Sequence, residues 1–198
     1  MASQEPKPSD AELVRAVRAG DREAYGRLAD RYLASVYAAA IRITCNAAAA
    51  EDVAQDTFLR AYQRLDLYDM KHPFRNWLLK IATNLALNQL RSRRRERLLH
   101  ERVAADEMRN GHSPVAEAAP PSRSQWQQWL GQLDESQRAA IVLFHFHEMP
   151  YAEIAQVLEM PLNTVRTLLH RGRRRLREIM GSPPMLENGS WNVAIQNG

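Results

Sequence analysis

Near the C-terminal end of this 198-residue chain, Arg166, Thr167, His170 and Arg171 fall at spacings that place them on one outward stripe of a helix. Arginine offers guanine a bidentate pair of N–H donors, and threonine and histidine reach base edges or phosphates. A good bidentate pair gives about 1–3 kcal/mol of discrimination between bases. Arginines also cluster at 91 to 97 and at 171 to 177, whereas the acids are spread out, so the net charge of +4 understates the basic stripes. With a sequence pI near 9.5, the expected partner is a polyanion, and this charge alone leaves nucleic acid and anionic membrane both open. Chemistry of the catalytic kind has no counterpart, because no phosphate-binding glycine loop, nucleophile elbow or carboxylate cluster occurs. His145 and His147 lie two apart on an expected helix and face different ways. His147-Glu148 lacks the second histidine of a zinc-protease motif. The single cysteine, Cys45, excludes an internal disulfide or a multi-cysteine zinc site and reads as a small helix-face residue. Asn188-Gly-Ser190 fits a glycosylation acceptor, but nothing else points to secretion. No enzyme, cofactor or metal is expected.

The elements that must position these residues are helical. Ser9 and Glu12 have capping-box spacing for a helix through Val14 and Val17 that stops at Gly20, and residues 1–9 read as a loose tail. Asp21 caps a longer helix with the stripe Tyr25, Leu28, Tyr32, Val36, Ala40 and Ile43. From Ala47, the residues Val53, Phe58, Ala61, Tyr62 and Leu65 form one buried face, opposite an exposed face of Glu51, Asp52, Gln55 and Asp56. Pro73 suits the first position of a helix whose apolar side is Phe74, Trp77, Leu78, Ile81, Ala82 and Leu85. The pattern predicts one domain over 10–97, a linker over 98–124 marked by Gly111, Pro114, Pro120 and Pro121, a second domain over 125–180 and a C-terminal tail over 181–198. The fold class is all-α: two small helical domains joined by a flexible linker, with no alternating strand-like run. No apolar run is long enough to span a bilayer and the start lacks a signal-peptide core, so a cytoplasmic protein without membrane insertion is expected.

Within the second domain, Ile154, Ala155 and Leu158 bury one helix, a turn ends at Pro161, and Val165 and Leu169 anchor the next helix. That is helix-turn-helix spacing, in which the start of the second helix enters the major groove.

At these residues a family resemblance emerges. Tyr151-x-Glu-Ile-Ala, then Pro161-x-x-Thr-Val-Arg166, then His170-Arg-Gly-Arg173 resemble the second DNA-binding domain of extracytoplasmic-function (ECF) sigma factors of the sigma-70 family. Ala50-Glu-Asp-Val-Ala-Gln-Asp-Thr-Phe58 resembles the family's polymerase-clamp-binding helix, and Phe74-Arg-Asn-Trp77 through Ile81-Ala-Thr-Asn84 its promoter-melting helix. The resemblance implies a sigma2-like bundle and a sigma4-like helix-turn-helix, and it assigns three sets of residues. Core RNA polymerase would be bound by Glu51, Asp52, Gln55, Asp56 and Phe58 at the beta-prime clamp helices, with a further contact to the beta flap. The single-stranded minus-ten element would be met by Tyr68, Met70, Lys71, His72, Asn76, Trp77, Lys80, Asn84, Asn88, Arg91 and Arg94. The duplex minus-thirty-five element would be met by Thr164, Arg166, Thr167, His170, Arg171 and Arg174. Promoter DNA, core polymerase and an anti-sigma factor are the implied partners.

Two departures from the family pattern stand out. No arginine occurs around Phe144-His145, where the family grips the DNA backbone. Glu159 and Asn163 occupy usual glycine positions, so an altered turn is expected at Glu159, which tolerates a left-handed backbone poorly. Two other readings compete: a helix-turn-helix regulator independent of polymerase docking, which needs neither the clamp-like helix nor the linker, and a sigma mimic that sequesters an anti-sigma factor, which would not need to retain Arg166 and Arg171.

Overall fold

The computed structural model describes residues 8–101 and 121–181, and among these every regular element is helical. Residues 1–7 of the expected N-terminal tail, 102–120 of the expected linker and 182–198 of the expected C-terminal tail lie outside the described residues.

Local chemistry sets the helix starts. In α1 (Asp10–Arg18) the Ser9 Oγ accepts from the Glu12 N–H and the Glu12 carboxylate accepts from the Ser9 N–H, completing the expected capping box. Asp21 caps α2 (Arg22–Thr44) and Asn46 caps α3 (Ala47–Gln63), each through a side-chain oxygen on a first-turn N–H. After a 3-10 turn at Leu65–Leu67, α4 spans Phe74–Glu101 and so continues past the domain end expected at residue 97. Fully buried Ala39, Ala40, Ala49 and Ala50 let α2 and α3 approach closely, and Leu78, Leu79 and Ala82 close the packing from α4.

Four helices build the second half: α5 (Arg123–Gly131), α6 (Glu135–Ile141), α7 (Tyr151–Leu158) and α8 (Leu162–Met180). A second capping box, Ser122 with Gln125, starts α5 inside the expected linker range. One π-helical turn, Val142–Phe146, continues α6.

The halves are packed together rather than held apart, and their buried residues form one continuous core. α7 lies on α4, while α5 and the π turn lie on α2. Arg138 is the deepest polar link between them. Its guanidinium donates to the Ile43 carbonyl at 2.8 Å, the Leu133 carbonyl at 3.0 Å and the Gly131 carbonyl at 3.2 Å. Ile43 belongs to the last turn of α2, where carbonyls lack helical partners and a cation is favoured. Arg42 adds a cation–π contact, its guanidinium 4.3 Å from the Phe146 ring centre.

Replacing Arg138 by methionine keeps much of the volume but leaves these carbonyls without their buried donor. Urea melts of the full chain should show a loss of about 1–3 kcal/mol; an unchanged midpoint and slope would mean that water replaces the guanidinium at no cost.

Candidate nucleic-acid interface

α7 and α8 form the helix-turn-helix. Ile154, Leu158, Val165 and Leu169 are buried as expected, Ala155 is only half-buried, and Val157, which the spacing argument omitted, is buried as well. Glu159 takes the left-handed conformation at φ 54°, ψ 44°, and the Met160 N–H closes the turn on the Ala155 carbonyl. Such backbone in a non-glycine residue costs about 1–2 kcal/mol. Asn163 needs no such tolerance, because it lies inside α8. Its side-chain oxygen accepts from Arg166 at 3.1 Å, and its carbonyl accepts from the Thr167 hydroxyl at 2.9 Å.

Thr164, Arg166, Thr167, His170, Arg171 and Arg174 are all exposed along α8. Gly172 explains how the helix sits so close: a Cβ there would stand 3.0 Å from Ile141 of α6. Arg173 points inward, unlike its neighbours. It stacks 4.7 Å from the Phe144 ring centre and donates to His145 Nε2 at 3.2 Å and to the Tyr151 hydroxyl at 3.3 Å. A guanidinium therefore does stand beside Phe144-His145, supplied by α8 rather than by that segment.

The residues expected to meet a single strand divide into three groups. Met70, Lys71, His72, Asn88, Arg91 and Arg94 are exposed, and Asn84 is half-buried. Tyr68 is 6% exposed and belongs to the core instead, with ring centres 5.2 Å from Phe74 and 5.1 Å from Trp77, so Trp77 shares that cluster. Packing against both rings holds the tyrosine in the core, and its hydroxyl donates to the His72 carbonyl. Asn76 and Lys80 are engaged by the helix-turn-helix: Asn76 donates to the Glu153 carboxylate, and Lys80 Nζ stands 3.1 Å from Glu159 Oε1. Beside the 70–72 loop, Asp10, Arg31 and Tyr32 help to line an open depression. Sequence spacing missed these because α1 and α2 reach the loop only through the fold.

On α3, Glu51, Asp52, Gln55 and Asp56 form the expected exposed face, and Phe58 is half-buried. Tyr62 departs from the expected buried stripe. It is 43% exposed, with Leu59 at 56%, so the acidic face continues into an apolar one.

This arrangement of an acidic-apolar helix face, a long helix ending in arginines and a helix-turn-helix matches known proteins over most of the chain. The family descriptions "Sigma-70 region 2" and "Sigma-70, region 4" match residues 28–96 and 123–176. The ECF RNA polymerase sigma factor SigW of Bacillus subtilis is 33% identical, over 83% of this chain and 93% of its own length. The chain belongs to the ECF group of the sigma-70 family. RNA polymerase sigma-H factor of Pseudomonas aeruginosa is 31% identical over 84% of the chain and 91% of its own. Among solved structures, CnrH in complex with the cytosolic domain of CnrY has TM-score 0.63 and 28% identity, covering 86% of this chain and 96% of that one. The sigma factor RpoE of Bartonella quintana, in complex with the anti-sigma factor NepR, has TM-score 0.65 and 25% identity, covering 79% and 96%. As an ECF sigma factor the chain acts with RNA polymerase in transcription initiation. No described helix is long and apolar enough to cross a membrane.

One histidine of this sigma factor lies where its halves meet. Arg75 of α4 donates to the His147 carbonyl at 2.8 Å and faces its Nδ1 at 3.0 Å. Burial, reinforced by Arg75 and Arg42, pushes the His147 imidazole down from 6.5 to about 3; burial and Arg173 do the same for His145. The unfolded chain therefore binds protons that the folded one refuses, and stability falls as pH drops below about 6.5 toward 3. Thermal melts of the wild type and of His145→Gln/His147→Gln at pH 7 and pH 5 check this. The wild type should lose more on acidification, and equal losses would remove these imidazoles as the cause.

Proposed function

We propose that this sigma factor directs promoter-specific initiation by reading the minus-thirty-five duplex with α8 and capturing the opened minus-ten strand with α4 and the 70–72 loop. The carrying observation is the row Arg166, Thr167, His170 and Arg171, exposed together on the second helix of a helix-turn-helix. Asn163 supports this role by fixing the Arg166 guanidinium from within its own helix turn, which lowers the ordering entropy lost on meeting a base. Lys71, His72 and Arg31 around the open depression supply cationic and polar groups for a displaced base and its phosphates. Arg91 and Arg94 extend the positive track toward upstream duplex phosphates. Core polymerase docks on α3 at its clamp, where Glu51, Asp52 and Asp56 steer the encounter and Phe58, Leu59 and Tyr62 give the apolar centre. The beta flap takes the second half. The relatives captured with CnrY and NepR support an anti-sigma factor as a further partner.

Runoff transcription with core polymerase on a genomic fragment library tests the whole reading, since polymerase binding and promoter choice must both succeed. The double reversal Asp52→Arg/Asp56→Arg should weaken core binding at least tenfold while leaving helical content intact. Wild-type affinity in a folded double mutant would take the clamp contact off α3.

Arg171→Ala and Arg166→Ala, crossed with a series of minus-thirty-five base substitutions, separate base reading from phosphate holding. A base contact should cost about 1–3 kcal/mol on the preferred sequence only, whereas a phosphate contact should weaken every sequence alike. No change on any sequence would place α8 off the DNA.

A further inference from the structure

On the proposed reading of the 70–72 loop as strand-capturing, we infer that α1 presets that loop, Arg18 being the positioning residue that holds its backbone and Asp10 fixing part of the wall beside it. α1 precedes the stretch matched by "Sigma-70 region 2", which begins at residue 28. Its last residue nonetheless reaches the segment between α3 and α4. One terminal nitrogen of Arg18 donates to the Leu65 carbonyl at 2.8 Å and the Tyr68 carbonyl at 2.6 Å, with the Asp66 carbonyl at 3.4 Å. Its Nε stands 4.0 Å from the Asp66 carboxylate. The chain leaves the 3-10 turn extended at Tyr68, φ −73° and ψ 122°, so the Asp66 and Tyr68 carbonyls are not taken up by a further helical turn. The guanidinium takes them up instead.

Tyr68 passes this hold along the loop. Its ring is buried against Phe74 and Trp77, and its hydroxyl donates to the His72 carbonyl. Between those fixed points the Lys71 N–H donates to the Asp69 carboxylate at 3.0 Å, and the His72 N–H to the Asp69 carbonyl at 3.2 Å. Met70, Lys71 and His72 are thus fixed in backbone while their side chains stay exposed. At the other end of α1, the Asp10 carboxylate accepts from the Tyr32 hydroxyl and from Arg31, and Arg31 also donates to the Pro8 carbonyl at 2.7 Å. Asp10, Arg31 and Tyr32 line the same depression as the loop. Groups ordered before a strand arrives lose less entropy in binding it. The Arg18 side chain is only 27% exposed and committed to carbonyls, unlike the exposed Arg91 and Arg94, so it acts on DNA through the loop.

The test uses the holoenzyme formed by the full chain with core polymerase. Its probe is a fluorescent single-stranded oligodeoxynucleotide carrying the minus-ten element of a promoter recovered by runoff transcription. Arg18→Ala should weaken oligonucleotide affinity about two- to ten-fold, the range for ordering one interface side chain, while affinities for core polymerase and for the minus-thirty-five duplex stay at the wild-type values. The slope of log affinity against log salt should also stay that of the wild type, because Arg18 neutralises no phosphate. Amide exchange at Lys71 and His72 should quicken. Arg18→Lys keeps one cationic donor, so it should lose less in the same oligonucleotide-only pattern, and it carries the test if Arg18→Ala does not fold. Wild-type oligonucleotide affinity in a folded Arg18→Ala holoenzyme would overturn the positioning role and leave the proposed function standing. So would a salt slope shallower by about one, the mark of a direct phosphate contact, or equal losses on core polymerase and duplex, the mark of general support of the fold. A wild-type holoenzyme that transcribes yet never retains the oligonucleotide removes the loop as a strand surface, and the role of Arg18 with it.

Discussion

The buried guanidinium of Arg138 joins the two halves of the chain, its terminal nitrogens donating to three carbonyls drawn from both. Two of its acceptors, Gly131 and Leu133, close the end of α5, and the third, Ile43, is an otherwise unpaired carbonyl at the end of α2. Because α2 also carries the core of the first half, fixing its C-terminal turn fixes where α5, α6 and the π turn can lie. α7 rests against α4. The contacts of Asn76, Lys80 and Arg75 follow from that placement.

This geometry gives the two basic surfaces different states. α8 is held from behind by Gly172 against Ile141 and by Arg173 against Phe144, His145 and Tyr151, so its opposite row is left outward. α4 instead presents its middle to α7, while the 70–72 loop before it and Asn88, Arg91 and Arg94 beyond stay exposed. Arg173 shows why charge clusters are poor maps of surface: one arginine of the run at 171 to 177 is structural.

Much of the fold was legible from local rules. The capping box at Ser9, the cap at Asp21 and the 3.6-residue spacing of Leu28, Val36, Ala40 and Ile43 need only neighbours within a few positions, whereas the box at Ser122 fell inside the expected linker. The exposed row of α8 and the acid face of α3 were legible for the same reason. Tyr68 was not, because its burial depends on the α4 rings Phe74 and Trp77 closing over it, and a tyrosine in a polar loop looks like a base-stacking group. Tyr62 was misread in the opposite sense: it has the right spacing to be buried, but it lies edge-on to Tyr25 at 4.9 Å and stays 43% exposed. Contacts between residues 43 and 138 or 80 and 159 have no periodic signature at all. A glutamate at the left-handed position 159 read as a flaw in the turn, since its partner lies on another helix.

Separating the halves costs less than their shared core implies, and unequally. Arg138 would keep Gly131 and Leu133 and exchange Ile43 for water, so no buried charge is orphaned. The ion pair of Lys80 and Glu159 is already solvated. The main resistance is apolar: Phe146, with Arg42 over it, and Trp126 against α2. A partner that binds both halves at fixed, distant points offsets that resistance by effective concentration, because once α3 is seated the second half docks as an intramolecular step. A ligand that touches only a surface left exposed in the closed chain has no such leverage, since it binds the closed and open forms alike and shifts neither. On the proposed function, core polymerase is a partner of the first kind and an isolated upstream duplex one of the second.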